Sequence, residues 1–172
     1  FTNDDELAAR MQAIANHGMV VRYHHDMIGV NSRLDSIQAA VLDAKLPHLD
    51  EYIAARQKAA TYYDKAFASN EKVLIPFRAL HSTHVFHQYT LRVIGADRDQ
   101  LREGLAQKGI PAMIYYPVPL HQQKAYIDPR YKDGDFPIAE RLAVCVLSLP
   151  MHTELDKEQL EYITSSVIEL LG

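Results

Sequence analysis

The feature that most constrains this chain is a helical run from Leu34 to about Phe67 with a single proline inside it. Before Pro47, Leu34, Ile37, Val41 and Ala44 fall on one apolar stripe; after it, Leu49, Ile53, Arg56, Ala60, Tyr63 and Phe67 mark a long amphipathic helix. Proline lacks a backbone donor and crowds the preceding turn, so a break or kink is expected near Leu46. A helix pair of this length suits a scaffold or a spacer between lobes better than it suits a site.

The stretch that leads into this run is Gly29-Val30-Asn31-Ser32-Arg33-Leu34-Asp35-Ser36-Ile37-Gln38-Ala39-Ala40. Ser32 and Asp35 stand in a capping relation, which predicts a helix starting at or just after Ser32. Such a start leaves free N–H groups and a partial positive charge, and Arg33 adds a full one. An amide at Asn31 and a guanidinium at Arg33 suit a phosphate or pyrophosphate there. An ordinary helix cap with a surface arginine is the alternative.

Composition narrows the classes. The 172 residues, 48% hydrophobic and 23% charged with a net charge of −4, suffice for one good core, and no basic run points to nucleic acid or an acidic membrane surface. No apolar run is long enough to span a bilayer. Cys145 is alone, which excludes an internal disulfide and fits a reducing cytoplasm; among Val144, Val146 and Leu147 it reads as inert core. Phe1-Thr2 runs straight into the helix caps Thr2, Asn3 and Asp4 with no strand ahead of them, so the chain reads as a piece of a longer protein.

In order, a helix is expected over 4–16 with Leu7, Ala8, Met11, Ile14 and Ala15 inward and Gly18 as its stop, then a loop with a short extended piece over 19–28. Strands are expected at 73–75, 86–94, 111–115 and 143–149, and helices at 97–108, 137–142 and 156–171. Leu160, Ile163, Val167 and Leu171 form the inward face of the last helix. This is the layout of a small α+β sandwich with helices on one face of the sheet. Two histidine groups invite a metal reading and fail it. His24 and His25 are adjacent and point to opposite faces in a strand, and of His81, His84 and His87 only the outer two could share a face.

With these elements placed, three motifs in order resemble the sugar-nucleotide aminotransferases of the DegT/DnrJ/StrS type. They are Gly29-x-Asn31-x-Arg33-Leu34-Asp35-x-x-Gln38-Ala39-Ala40, then Gly109-Ile110-Pro111-Ala112 through Tyr115-Tyr116-Pro117-x-Pro119-Leu120-His121, and Leu147-Ser148-Leu149-Pro150-Met151-His152. The resemblance covers essentially the whole chain. It implies an α/β class with an α+β small domain, as the C-terminal part of an aspartate-aminotransferase-like, fold type I enzyme. Helices would pack on a small antiparallel or mixed sheet. By the same comparison, residues 1–46 are the end of the large cofactor-binding domain and 47–172 the small C-terminal domain.

The resemblance implies an enzyme that uses pyridoxal 5'-phosphate to move an amino group, usually from glutamate, to a keto-sugar on a nucleoside diphosphate. It implies a cytoplasmic homodimer with shared active sites, in surface-polysaccharide or glycoconjugate synthesis, with no nucleic-acid or membrane partner. Asn31 would bind the phosphate of the partner's cofactor, and Arg33 the phosphates of the substrate. Tyr115 and Tyr116 occupy sugar-nucleotide positions where many members have His-Tyr. His121 is either a further substrate contact or a structural turn histidine. The Schiff-base lysine would lie upstream of residue 1. None of Lys45, Lys58, Lys65, Lys108, Lys124, Lys132 or Lys157 substitutes for it, so this chain alone is expected to be inactive. Two rivals remain: a cofactor-dependent sugar dehydratase of the same family, and a non-catalytic dimerisation or binding module with this fold.

Overall fold

The computed structural model describes residues 1–172 and separates them into two compact units, Phe1–His48 and Leu49–Gly172. The first holds α1 (Asp5–Ala15), the short strands β1 (Met19–Val21) and β2 (His24–His25), and α2 (Ser36–Lys45). Asp4 caps α1 by accepting from the Leu7 amide at 2.9 Å. Gly18, at a φ of 77°, closes its end by donating to the Ala13 carbonyl at 2.8 Å. A Cβ on Gly18 would stand 1.7 Å from the Met27 carbonyl oxygen, and one on Gly29 would stand 2.2 Å from the Gly18 nitrogen. The two glycines are therefore what lets the returning chain cross the end of α1.

Two expectations change here. Within this unit Ala13 is the one buried apolar side chain, whereas Leu7, Met11 and Ile14 are exposed. Periodicity marks the face that wants a partner, and nothing in this chain covers it. The helix start also moves. The backbone of Val30 and Ser32 is engaged with the end of α1, donating to Ile14 and Ala15 at 2.8 and 2.9 Å, and Ser32 stays outside the helix. Asp35 is the N-cap instead, in a capping box with Gln38, and Leu34 lies outside the helix. Pro47 sits inside a 3₁₀ turn, Leu46–His48, which interrupts the helical run where its ring demands.

The second unit begins with α3 (Leu49–Phe67), followed by β3 (Val73–Leu74), β4 (Tyr89–Val93), α4 (Arg98–Gln107), α5 (Pro137–Cys145), β5 (Val146–Leu149) and α6 (Lys157–Leu171). The strands form one antiparallel sheet in the order β3-β4-β5, with Leu91 opposite Leu147. Tyr63 and Phe67 of α3, Tyr89, Leu91 and Val93 of β4, Leu101 and Leu105 of α4, and Leu160, Ile163, Val167 and Leu171 of α6 fill one core. Two polar pins run through it: the Tyr63 hydroxyl donates to the Pro150 carbonyl at 2.9 Å, and the Tyr89 hydroxyl to Asp64 at 2.7 Å. Burial pushes both phenols well above the ordinary tyrosine range, and for Tyr89 the Asp64 carboxylate adds to the effect.

Three element boundaries differ from expectation. Of 111–115 only Met113 pairs, exchanging backbone hydrogen bonds with Ser148 at 2.9 and 2.7 Å, because Pro111 has no N–H to offer. β4 starts at Tyr89 because Phe86, buried with a φ of 50°, breaks the extended geometry ahead of it. Helix α5 runs on to Cys145, which is half-buried at the helix end and not in a core strand. Arg98 makes that junction. Its Nη1 donates to the Ala143 and Val146 carbonyls at 3.2 and 2.9 Å, satisfying acceptors the helix end leaves open. No helix is long and apolar enough to cross a membrane.

Candidate functional site

In the first unit, Asn31 forms an isolated antiparallel bridge with Asn16, so its side chain leaves a fixed piece of backbone. Arg33 Nε donates to Asn31 Oδ1 at 3.1 Å. That bond occupies one lone pair of the amide oxygen and leaves its NH₂ and the two terminal guanidinium nitrogens as donors without a partner, so the pair is rich in donors. The pair lies ahead of the N-cap, and the Asp35 carboxylate already takes the Gln38 amide. The anion-binding capacity here thus rests on the two side chains and not on the helix terminus. Arg33 also borders a cavity of about 660 Å³ along α1, together with Arg10, Gln12 and Asn16.

In the second unit, Tyr115 and Tyr116 are neighbours joined by a cis peptide, their rings edge-to-face at 5.9 Å. Tyr116 is 75% exposed and Tyr115 38%. Tyr115 lines a cavity of about 270 Å³ with His87, Gln88, Met113, Ser148 and Met151. His121 stands apart from that cavity. Its ring is 8% exposed, Nε2 donates to Glu140 Oε1 at 2.9 Å, and it tilts against Phe136 at 4.8 Å. Glu140 also accepts from the backbone amides of Gly134 and Phe136 at 2.9 and 3.3 Å. The geometry therefore favours the structural of the two readings of His121: it is one spoke of a carboxylate hub that holds the 120–136 loop. Nearby, the Arg130 guanidinium holds the exposed Asp128 carboxyl below the usual range.

The structure thus joins Asn31 to Arg33, and Tyr115 to Tyr116, while His121 belongs to a separate loop. Glu140 and His87 carry weight that sequence reasoning misses. Glu140 has no local signature. His87 belongs to a row whose even spacing suggests metal, yet no three His, Cys, Asp or Glu side chains come close enough to hold an ion. His84 instead accepts from the Phe86 amide at 2.9 Å through Nδ1. Among the lysines, Lys72 binds the Leu171 and Gly172 carbonyls and Lys108 pairs with Glu169 at 3.0 Å.

Residues 1–168 match the family model described as DegT/DnrJ/EryC1/StrS aminotransferase family. The "Pleiotropic regulatory protein" of Geobacillus stearothermophilus is 44% identical over 98% of this chain and 45% of its own length. The UDP-2-acetamido-2-deoxy-3-oxo-D-glucuronate aminotransferase of Pseudomonas aeruginosa is 41% identical over 97% of the chain and 45% of its own length. Among solved structures, S. venezuelae DesV superposes with a TM-score of 0.90 at 37% identity, over 99% of this chain and 45% of that one. The chain therefore spans about 45% of the length of the curated relatives it matches. On the family match, which takes in nearly every residue, the chain belongs to the DegT/DnrJ/EryC1/StrS aminotransferase family.

Proposed function

We propose that the chain works as part of a pyridoxal-phosphate aminotransferase that moves an amino group, from glutamate, to a keto-sugar carried on a nucleoside diphosphate. The carrying observation is the Asn31–Arg33 pair, an anchored, donor-rich anion receptor in a chain of this family. In this reading the first unit ends the large cofactor-binding domain and the second is the small C-terminal domain. The protein acts in the cytoplasm as a homodimer, in making polysaccharide or glycoconjugate sugars.

The donors present fit the cofactor. Asn31 would hold its phosphate through the free NH₂, and Arg33 would take the substrate's phosphates through its paired terminal nitrogens, each serving the site of a second copy. When bound, the cofactor supplies the electron sink that the amino-group transfer needs. Arg33, by holding Asn31 Oδ1, also keeps the amide turned with its donors outward. Tyr115 and Tyr116 would line the sugar end, and His121 would keep the neighbouring loop in place.

The test uses the complete reading frame that encodes this chain. Arg33→Ala should lower kcat/KM for the nucleotide sugar by about 30- to 150-fold, about 2–3 kcal/mol for a lost charged hydrogen bond. Asn31→Ala should mainly weaken cofactor retention. Mixing Arg33→Ala with a variant lacking the Schiff-base lysine should restore partial activity, because one site in each mixed dimer then has both groups. Mixed dimers with no recovered activity would remove the shared-site assignment.

A further inference from the structure

Beside Tyr115 lies a group of polar side chains that the proposed reaction does not yet use. His87 and Gln88 share the 270 Å³ cavity with it, and Pro111, Met113 and Met151 form an apolar wall. The His87 imidazole, the Gln88 amide and the Tyr115 hydroxyl make no hydrogen bond within the chain. Their backbone is fixed by other groups. Arg56 Nη1 donates to the Phe86 and His87 carbonyls at 3.4 and 3.3 Å, and Gln57 Nε2 to the His84 carbonyl at 3.1 Å. Across the cavity, the Met113–Ser148 bridge holds the segment that leads to Tyr115. The scaffold is anchored while three side-chain heads stay unspent, which is how a pre-formed small-molecule site is built.

The lining also says what would fit. It contains no carboxylate, lysine or arginine, so it has nothing with which to grip a phosphate. Side-chain heads that offer hydrogen bonds, facing an apolar wall, match a pyranose ring with hydroxyls on its edge and C–H groups on its face. We infer that His87, with Gln88 and Tyr115, reads the hydroxyl groups of the sugar ring, making His87 a specificity-determining residue. That the ring belongs to a nucleotide sugar rests on the function proposed above; the sugar chemistry rests on the cavity alone.

The experiment follows the side-chain NMR signals of His87, Gln88 and Tyr115 in the full chain during titration with UDP-2-acetamido-2-deoxyglucose, free 2-acetamido-2-deoxyglucose and UDP. All three residues should shift with both sugar-bearing probes and stay still with UDP. His87→Ala should weaken binding of the free sugar by about tenfold and His87→Gln by about threefold or less, as expected when one polar contact is lost or partly replaced. Because Arg56 holds the His87 carbonyl and not the ring, neither variant should disturb the Met113 and Ser148 amides. Should His87→Ala unfold, His87→Gln carries the comparison. Silence at His87, shifts driven by UDP alone, or equal binding by the variants would overturn the assignment. If the complete reading frame transaminates normally while His87 stays silent, only this inference falls. If His87 responds and no amino transfer occurs, the function above falls and the sugar site stands.

Discussion

Helices α2 and α6 open in the same way and end up in opposite conditions. Each begins with an Asp-x-x-Gln capping box, Asp35 with Gln38 and Asp156 with Gln159, and each carries an apolar stripe at helical spacing. Yet α6 buries Leu160, Ile163, Val167 and Leu171, whereas α2 buries nothing, and Ile37 is 80% exposed. Capping and periodicity decide that a helix forms and which face wants covering; whether that face is covered depends on what else the chain supplies. Most helical stability comes from such packing, so the two units should differ in cooperativity far more than in local structure.

The largest expected effect is in hydrogen exchange. Amides of β4, β5 and α6 should exchange at least about a thousandfold more slowly than those of α1 and α2, because the latter open locally. Uniform protection across both units would break the comparison. Side-chain truncation should follow at smaller scale. Leu147→Ala, at a fully buried position of β5, should cost about 2–5 kcal/mol in urea unfolding. Ile37→Ala on α2, chemically similar, should stay within about 0.5 kcal/mol. Equal costs would mean that α2 is packed in solution.

Alkaline pH sharpens the contrast with the smallest effect. Tyr63 and Tyr89 keep their protons in the folded unit beyond the ordinary value of 10.0, so the unfolded chain gains by ionising first. The stability they contribute is fully present below pH 10 and is lost as pH rises above it. The first unit has a single tyrosine, the exposed Tyr23. Phenolate absorbance followed alongside the unfolding midpoint should show two late-ionising groups, and Tyr89→Phe should remove one.

How much of this was legible beforehand depended on where each determinant sits in the chain. The extents of α4 and α6, the Gly18 stop and the Pro47 break were readable because each is set within about five residues. The start of α2 was not. Ser32 has the right chemistry for a cap, but its backbone is claimed by Ala15, seventeen positions earlier, and local pattern cannot see that. Phe86 hides in the same way, its positive φ held in place by carbonyl contacts from Arg56 on α3. Asn31 and Arg33 could be picked out as an anion-binding pair, but their mutual hydrogen bond, which turns the amide oxygen toward Arg33, could not. Glu140 and His87 were invisible as site builders because His121 and Arg56, which engage them, lie 19 and 31 positions away.

The Arg98 clasp has a consequence for how this fold can vary in length. Helix α5 gives way to β5 between consecutive residues, Cys145 and Val146, with no loop to absorb a change. All four β5 residues are buried, and Ser148 meets Thr90 at 2.8 Å between hydroxyls. Inserting one residue there would turn every β5 side chain to the opposite face and move that hydroxyl among apolar groups. It would also slide the carbonyls that Arg98 grips out of its reach. Insertions and deletions should therefore be absorbed by the 120–136 loop, and this joint should behave as a fixed ruler that keeps Met113, and with it the approach to Tyr115, in register with the sheet.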